Sequence, residues 1–368
     1  MMHDSADGQR ILAYALEQPA ALEATLRHLL AAVRELPDPA APHGEVVLIG
    51  SGTSKNALIA TAPTFRHTHR VPVTVRGPSE FLHDAAAYPT AALAVVLSQT
   101  GSSTTTVAAL EAAQARGLRT IALTAEADSP FGRVAEACLV LPIGREDIGP
   151  KTKGYTASLV ALLALAEATS PVPPATSCLP GDPAAFAAWF AASMPVWQGL
   201  GRGWAERHAS SDHIMLIGDE PHLGTVLEAS LKLQEMAGVA ASAFDLEEAL
   251  HGRLHGLGPA SLAMFVCGEG ESERVALSSV EVLTELGVPA LVVSSSAGSS
   301  AAEVCDHEVL VRLETGQGDG HGTALAPVST IVPFQYFAEQ SARLRGLNPD
   351  RMRFPGLSAR LGIKLPSS

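Results

Sequence analysis

Two sets of residues in this 368-residue sequence could do chemistry. The first is a dense group of hydroxyls, Ser98-Gln-Thr-Gly-Ser-Ser-Thr-Thr-Thr106, which directly follows the apolar run Ala91-Ala-Leu-Ala-Val-Val-Leu97. A second small-residue loop, Gly50-Ser-Gly-Thr-Ser-Lys55, follows Val46-Val-Leu-Ile49. Both combine glycine, which lets backbone N–H groups approach an anion, with hydroxyl donors, and both lead into helix-like segments. That combination can cradle a phosphate. It is neither GxxxxGK[ST] nor GxGxxG. One hydroxyl would suffice for a helix cap, and seven are present. The other set is Glu228, Lys232 and Glu235, at i, i+4 and i+7, which share one face of a helix. A solvated salt-bridge face would show the same spacing. Lysine is scarce here, however, with only Lys55, Lys151, Lys153, Lys232 and Lys364. The surrounding Leu223, Val226, Leu227, Leu231 and Leu233 are apolar, which favours a half-buried helix.

The elements that must carry these residues occur twice. Val46–Gly50 reappears as His213-Ile-Met-Leu-Ile-Gly218, and Ala94–Gly101 as Ala263-Met-Phe-Val-Cys-Gly-Glu-Gly270. Thr120-Ile-Ala-Leu-Thr124 pairs with Ala290-Leu-Val-Val-Ser294, and Ala135-Glu-Ala-Cys138 with Ala302-Glu-Val-Cys305. The offsets, 167 to 170 residues, indicate duplicated domains. Strands alternate with amphipathic helices that stop at Gly117 and Gly287, which predicts parallel sheets covered on both faces. The fold class expected is α/β, with two tandem doubly wound parallel-sheet domains, flavodoxin-like and related by duplication. The expected boundaries are a helical segment over 1–44, a first domain over 45–170, a linker and helix over 171–212, a second domain over 213–345 and a tail over 346–368. Helices are expected at about 9–35 and 184–206, the second after a proline-rich linker at 170–183. The repeat also supplies a control. The turn matching the hydroxyl stretch reads Cys267-Gly-Glu-Gly-Glu-Ser272, with carboxylates where a phosphate would need donors. Only the first half is therefore expected to hold an anion.

The net charge of −13 opposes nucleic acid and anionic membranes as partners. No apolar run is long enough to span a membrane, and the first residues lack a signal-peptide pattern. Cys138, Cys178, Cys267 and Cys305 lie far apart, so free thiols in a cytoplasmic setting are expected. No clustered Cys/His or HExxH pattern appears, so neither a metal nor a cofactor is expected.

Taken together, Gly52-Thr-Ser54, Pro78-Ser-Glu-Phe81, Ser98-Gln-Thr-Gly101 with Ser103, Thr152-Lys-Gly-Tyr-Thr156, Glu228–Glu235, Glu248-Ala-Leu-His-Gly252 and Asn348-Pro-Asp-Arg351 resemble the sugar isomerase (SIS) family. The double-domain form is similar to the isomerase half of glutamine–fructose-6-phosphate amidotransferase and to stand-alone aminosugar-phosphate deaminases and deglycases. The resemblance covers nearly the whole chain, and a glutamine amidotransferase domain before it is not expected. It implies that Thr53, Ser54, Ser98, Gln99, Thr100 and Ser103 hold a sugar phosphate, with Gly52, Lys151 and Glu228 also near the substrate. Lys151 departs from the small residue usual there. The resemblance gives Glu235 the proton transfer between C1 and C2 of the open-chain sugar and gives His251, sixteen residues on, the ring opening. Those roles suit a carboxylate and a group titrating near neutrality. Lys232 would stabilise developing charge or tune Glu235. His255 competes with His251 but reads more simply as a surface histidine. The resemblance also implies a homodimer, with His251 reaching the partner's site.

The tail is the clearest departure. Relatives carry a lysine that forms a Schiff base with a ketose, where this chain has Ala359 or Arg360. Arginine stays protonated and cannot form the imine; Lys364 could replace it only in a shifted tail. The expected activity is therefore acid–base isomerisation of a hexose or hexosamine 6-phosphate, coupled to loss of an amine. A fructosamine-6-phosphate deglycase and a non-catalytic sugar-phosphate sensor are the alternatives.

Overall fold

The computed structural model describes residues 8–36, 44–89, 92–171, 177–296, 310–314 and 322–365. Cys305, its repeat motif and part of the proline-rich linker lie outside these residues. The chain divides into two compact units, each built on one five-stranded parallel sheet.

The first sheet comprises β1 (Val46–Ile49), β2 (Val73–Arg76), β3 (Leu93–Leu97), β4 (Arg119–Thr124) and β5 (Cys138–Val140) in the order β2-β1-β3-β4-β5. The second comprises β6 (His213–Gly218), β7 (Ala240–Phe244), β8 (Ser261–Gly268), β9 (Ala290–Ser296) and β10 (Leu310–Glu314) in the order β7-β6-β8-β9-β10. The two orders are the same, as the duplication requires. Val46 pairs with both Val73 and Leu93, which places β1 between its neighbours in register. Every residue of β1 and β3 is buried, because helices cover both faces of a parallel sheet. Each fully buried Val, Leu or Ile contributes roughly 1.5–3 kcal/mol. The turns at Gly117 and Gly287 have φ of 73° and 77°, the left-handed conformation expected where those helices stop.

Thr53–His69 lies against β1 and β2 of the first sheet. It packs against Lys153–Ala168, whose residues from Lys153 to Ala166 are all buried. A helix apolar on every side belongs inside a protein. In the other unit, His222–Ala237 packs on Gly322–Leu344. Asp350, from the Asn-Pro-Asp motif, accepts the backbone N–H groups of Gly8, Arg10 and Ile11 at 2.8–3.1 Å. Its carboxylate thus caps the first helix, where the helix dipole favours negative charge.

One expectation needed correction. The single helix over 9–35 is two, Arg10–Leu16 and Gln18–Ala32, followed by a 3-10 turn over Val33–Glu35. Pro19 has no N–H and its ring opposes the carbonyl four residues back. The Gln18 side chain supplies the missing donor to Ala15 O at 3.0 Å. The helix expected at about 184–206 runs Pro183–His208.

Candidate functional site

In an open parallel sheet, ligands sit beyond the carboxyl ends of the strands where the strand order reverses. In the first sheet that point lies between β1 and β3, and the two hydroxyl-bearing loops follow those strands. Gly52 takes φ 55° before the helix Thr53–His69, and Thr53 and Ser54 open that helix. Lys55 faces Glu80 of the Pro-Ser-Glu-Phe segment at 3.3 Å. The Glu80 carboxyl also accepts Gly77 N–H, and that bond, then Lys55, holds it below the usual carboxylate range.

The second loop is shaped by Gly101, at φ 59°, where a Cβ would fall 1.9 Å from Ser129 Oγ. Ser103 caps the helix Thr104–Ala115, accepting Thr106 N–H at 3.4 Å and Thr106 Oγ1 at 2.9 Å. The simple capping role thus accounts for Ser103 and Thr106. Thr100 and Ser102 hydroxyls bond each other at 3.0 Å. Ser98 and Gln99 are buried behind them. The tail belongs to the same unit and pairs with this loop. Lys364 lies opposite Ser103 in an antiparallel bridge, flanked by Thr104 N–H to Ile363 O at 3.3 Å and Leu365 N–H to Ser102 O at 2.7 Å. Ala359 and Arg360 lie on the exposed short helix Leu357–Arg360.

A residue that motif reading missed stands behind this loop. Glu146, 4% exposed, accepts Gln99 Nε2 at 2.8 Å and Gly154 N–H at 2.9 Å. A lone glutamate in a loop carries no periodicity, so spacing gives no signal for it. The neighbouring Lys153 is buried as well, also without a sequence signal of its own. Lys151 is half-buried and donates to Ile148 O at 2.8 Å.

The other unit carries the charged helix face. Glu228, Lys232 and Glu235 project from His222–Ala237. Lys232 lies 3.2 Å from Glu228 and also donates to Glu235 Oε2. The face is buried, not solvated: Lys232 and Glu228 are sealed, and the Glu235 side chain keeps 15% of its surface. Burial disfavours the lysine's charge, but the two carboxylates outweigh it and hold the pKa well above the usual lysine value. Glu235 is the most open member of this group.

His251 ends the short helix Leu246–Leu250 and is 71% exposed. Its Nδ1 contacts Glu247, both the backbone oxygen at 2.9 Å and the carboxylate at 3.3 Å. No hydrogen bond joins it to the Lys232 group among the described residues. His255 is exposed too and lines a groove of about 460 Å³ with Leu250, Val282 and Leu286.

The turn after β8, the counterpart of the hydroxyl loop, carries acidic groups with partners of their own. Glu271 pairs with Arg274, and Asp219 beyond β6 accepts the Ser272 hydroxyl. Burial, against that hydrogen bond, pushes the Asp219 carboxyl up. No group of three or more His, Cys, Asp or Glu suited to a metal occurs among the described residues. No described helix is long and apolar enough to cross a membrane. Cys138, Cys178 and Cys267 are free thiols.

Comparison with known proteins bears on the family and the fold. The chain is 26% identical over 339 residues to a glutamine–fructose-6-phosphate aminotransferase of Pyrococcus horikoshii, covering 92% of this chain and 55% of that protein. The Xylella fastidiosa protein of the same name is 28% identical, over 84% of this chain and 50% of its own length. The chain thus spans about half the length of these relatives. Among solved structures, the C-terminal domain of the Francisella tularensis glucosamine-fructose-6-phosphate aminotransferase superposes with a TM-score of 0.76 at 20% identity, covering 93% of this chain and 98% of that one. Glucosamine-6-phosphate deaminase of Thermotoga maritima gives 0.71 at 21%, covering 94% and 97%. These two likenesses show the shared fold. The SIS domain pattern matches residues 41–168 and again residues 209–338, so the chain belongs to the SIS domain family and carries the domain twice.

Proposed function

We propose that this protein converts a hexose or hexosamine 6-phosphate by acid–base aldose–ketose chemistry, with loss of an amine when the substrate is an amino sugar. The observation that carries this reading is the buried Glu228–Lys232–Glu235 group, with Glu235 alone partly open. A sealed ion group is costly to bury, and a solvated face would have served a structural helix. Glu235 takes the proton from the carbon beside the carbonyl or imine and returns it to the neighbouring carbon. Lys232 is sealed, so it acts through Glu235 and balances the carboxylate charge. His251 opens the sugar ring, delivered by a second copy in a homodimer; its 71% exposure leaves it available for that. The phosphate is held by Thr53, Ser54, Ser98, Gln99, Thr100 and Ser103, with Gly52 opening the helix of the first two. Holding it fixes C1 and C2 relative to the base.

A deglycase is the second reading; what supports it is the tail, where the family resemblance sets Ala359 or Arg360 at the place of an imine-forming lysine. One panel separates the readings. The protein is incubated with glucosamine 6-phosphate, galactosamine 6-phosphate, fructosamine 6-phosphates and plain hexose phosphates, and ammonia, amino acid and ketose are measured. Ammonia release supports the deaminase, free amino acid the deglycase, and ketose alone the isomerase. Binding without turnover leaves the sensor. Glu235→Gln is expected to abolish turnover and leave sugar-phosphate binding in place; near-normal turnover by that variant removes Glu235 as the base.

A further inference from the structure

Gln99 is fixed more completely than any hydroxyl beside it. Its backbone oxygen accepts Ala125 N–H at 2.9 Å and Thr124 Oγ1 at 3.2 Å. Its side-chain Nε2 donates to Glu146 Oε2 at 2.8 Å, and that same oxygen takes Gly154 N–H at 2.9 Å. From the helix side the amide lies directly over Gly154. A Cβ at 154 would fall 1.7 Å from Gln99 Nε2 and 2.3 Å from its amide carbon. Glycine is a poor helix former, so its place in the first turn of Lys153–Ala168 has a use in admitting Gln99. A buried carboxylate and a helix glycine thus both serve one side chain. Meanwhile the backbone N–H groups of Gln99, Thr100, Ser102 and Ser103 donate to no acceptor among the described residues.

We propose that Glu146 is a positioning residue of the hydroxyl loop. With Gly154 making the space, it holds the Gln99 amide in one orientation and so sets the loop's free N–H and hydroxyl donors for a phosphate ester before the ester arrives. The bonded oxygen of Glu146 is engaged by two protein N–H donors, and it acts on the phosphate only through Gln99. This rests on the reading of the loop as the phosphate site. A loop ordered in advance loses less entropy on binding.

Calorimetric titration of the full chain with fructose 6-phosphate and with inorganic phosphate tests the proposal. Glu146→Ala and Gly154→Ala strike the same amide from opposite sides, and each is expected to weaken both ligands by about tenfold or more, the size of one lost hydrogen bond to a charged group. Glu146→Gln keeps an acceptor oxygen for Gln99 and is expected to recover most of the affinity. Adding Gln99→Ala to Glu146→Ala is expected to cost little more than either change alone. With any substrate the protein turns over, KM rises while kcat holds. A residue that only caps the helix would change thermal stability and leave these affinities alone. The positioning role is overturned if folded Glu146→Ala and Gly154→Ala bind like the unmodified protein while Gln99→Ala does not. If Glu146→Ala fails to fold, Gly154→Ala decides alone. If the unmodified, folded protein binds neither ligand, the phosphate reading falls and the positioning role with it.

Discussion

His222 shows how far a single buried side chain can set the behaviour of an element. It begins the helix that carries Glu228, Lys232 and Glu235, and it is fully buried. Its Nε2 meets Ser295 Oγ at 2.8 Å, and the Ser295 hydroxyl points to Cys267 O at 3.3 Å. Its Nδ1 has no hydrogen-bond partner among the described residues. Burial pushes the pKa of this histidine down to about 4. In the unfolded chain it returns to about 6.5. Below that value the unfolded chain binds a proton that the folded chain refuses. The stabilisation is thus complete above pH 6.5 and is lost as pH falls towards 4. The gap corresponds to roughly 3 kcal/mol. Urea unfolding of the unmodified protein and of His222→Gln, followed from pH 7 to pH 4, is expected to converge with falling pH. Parallel curves would mean that the histidine titrates alike in the folded and the unfolded chain.

At the scale of the element, the Asp350 cap ties the start of the chain to the Asn-Pro-Asp segment. Asp350→Ala removes the acceptor of three backbone N–H groups. Stability is expected to fall by about 2–3 kcal/mol, the cost of unsatisfied buried donors, with KM unchanged; an unaltered urea midpoint would contradict the cap. What could be read in the sequence follows from the same physics. β1, β3, β6 and β8 are buried on both faces and appear as apolar runs. The edge strands β2 and β7 escape that reading. Val73-Thr-Val-Arg76 is short and half-buried, and Ala240-Ala-Ser-Ala-Phe244 is mostly small residues. The charged helix face was legible because 3.6-residue spacing brings i, i+4 and i+7 together. Its burial was foreshadowed by the apolar residues around it. Glu146 and Asp350 were not legible in these roles, since each meets partners set by tertiary contacts, 47 residues away for Gln99 and more than 300 for the first helix.

At the scale of the whole molecule, duplication has divided the work between two sheets of identical strand order. One keeps hydroxyls and backbone donors after its first and third strands; the other carries carboxylates at the matching turn and the Glu228–Lys232–Glu235 helix. With a net charge of −13, the proposed sugar phosphate would meet an unfavourable overall field, so on that reading local donors must supply its attraction. The proposed homodimer adds a second level of division, and complementation tests it. Glu235→Gln and His251→Ala are each expected to be inactive alone. In a two-fold dimer with His251 serving the partner's site, a mixed dimer has one site that combines an intact Glu235 from one copy with an intact His251 from the other. Its second site has lost both. Random pairing makes half of the dimers mixed, so roughly a quarter of the sites regain activity. Unfolding and refolding the two variants together, then measuring turnover against each refolded alone, gives the readout. If His251 serves its own chain, every site contains one damaged residue and mixing restores nothing. Recovery near a quarter would therefore establish both the dimer and the route by which the histidine reaches the base, without a structure of the complex.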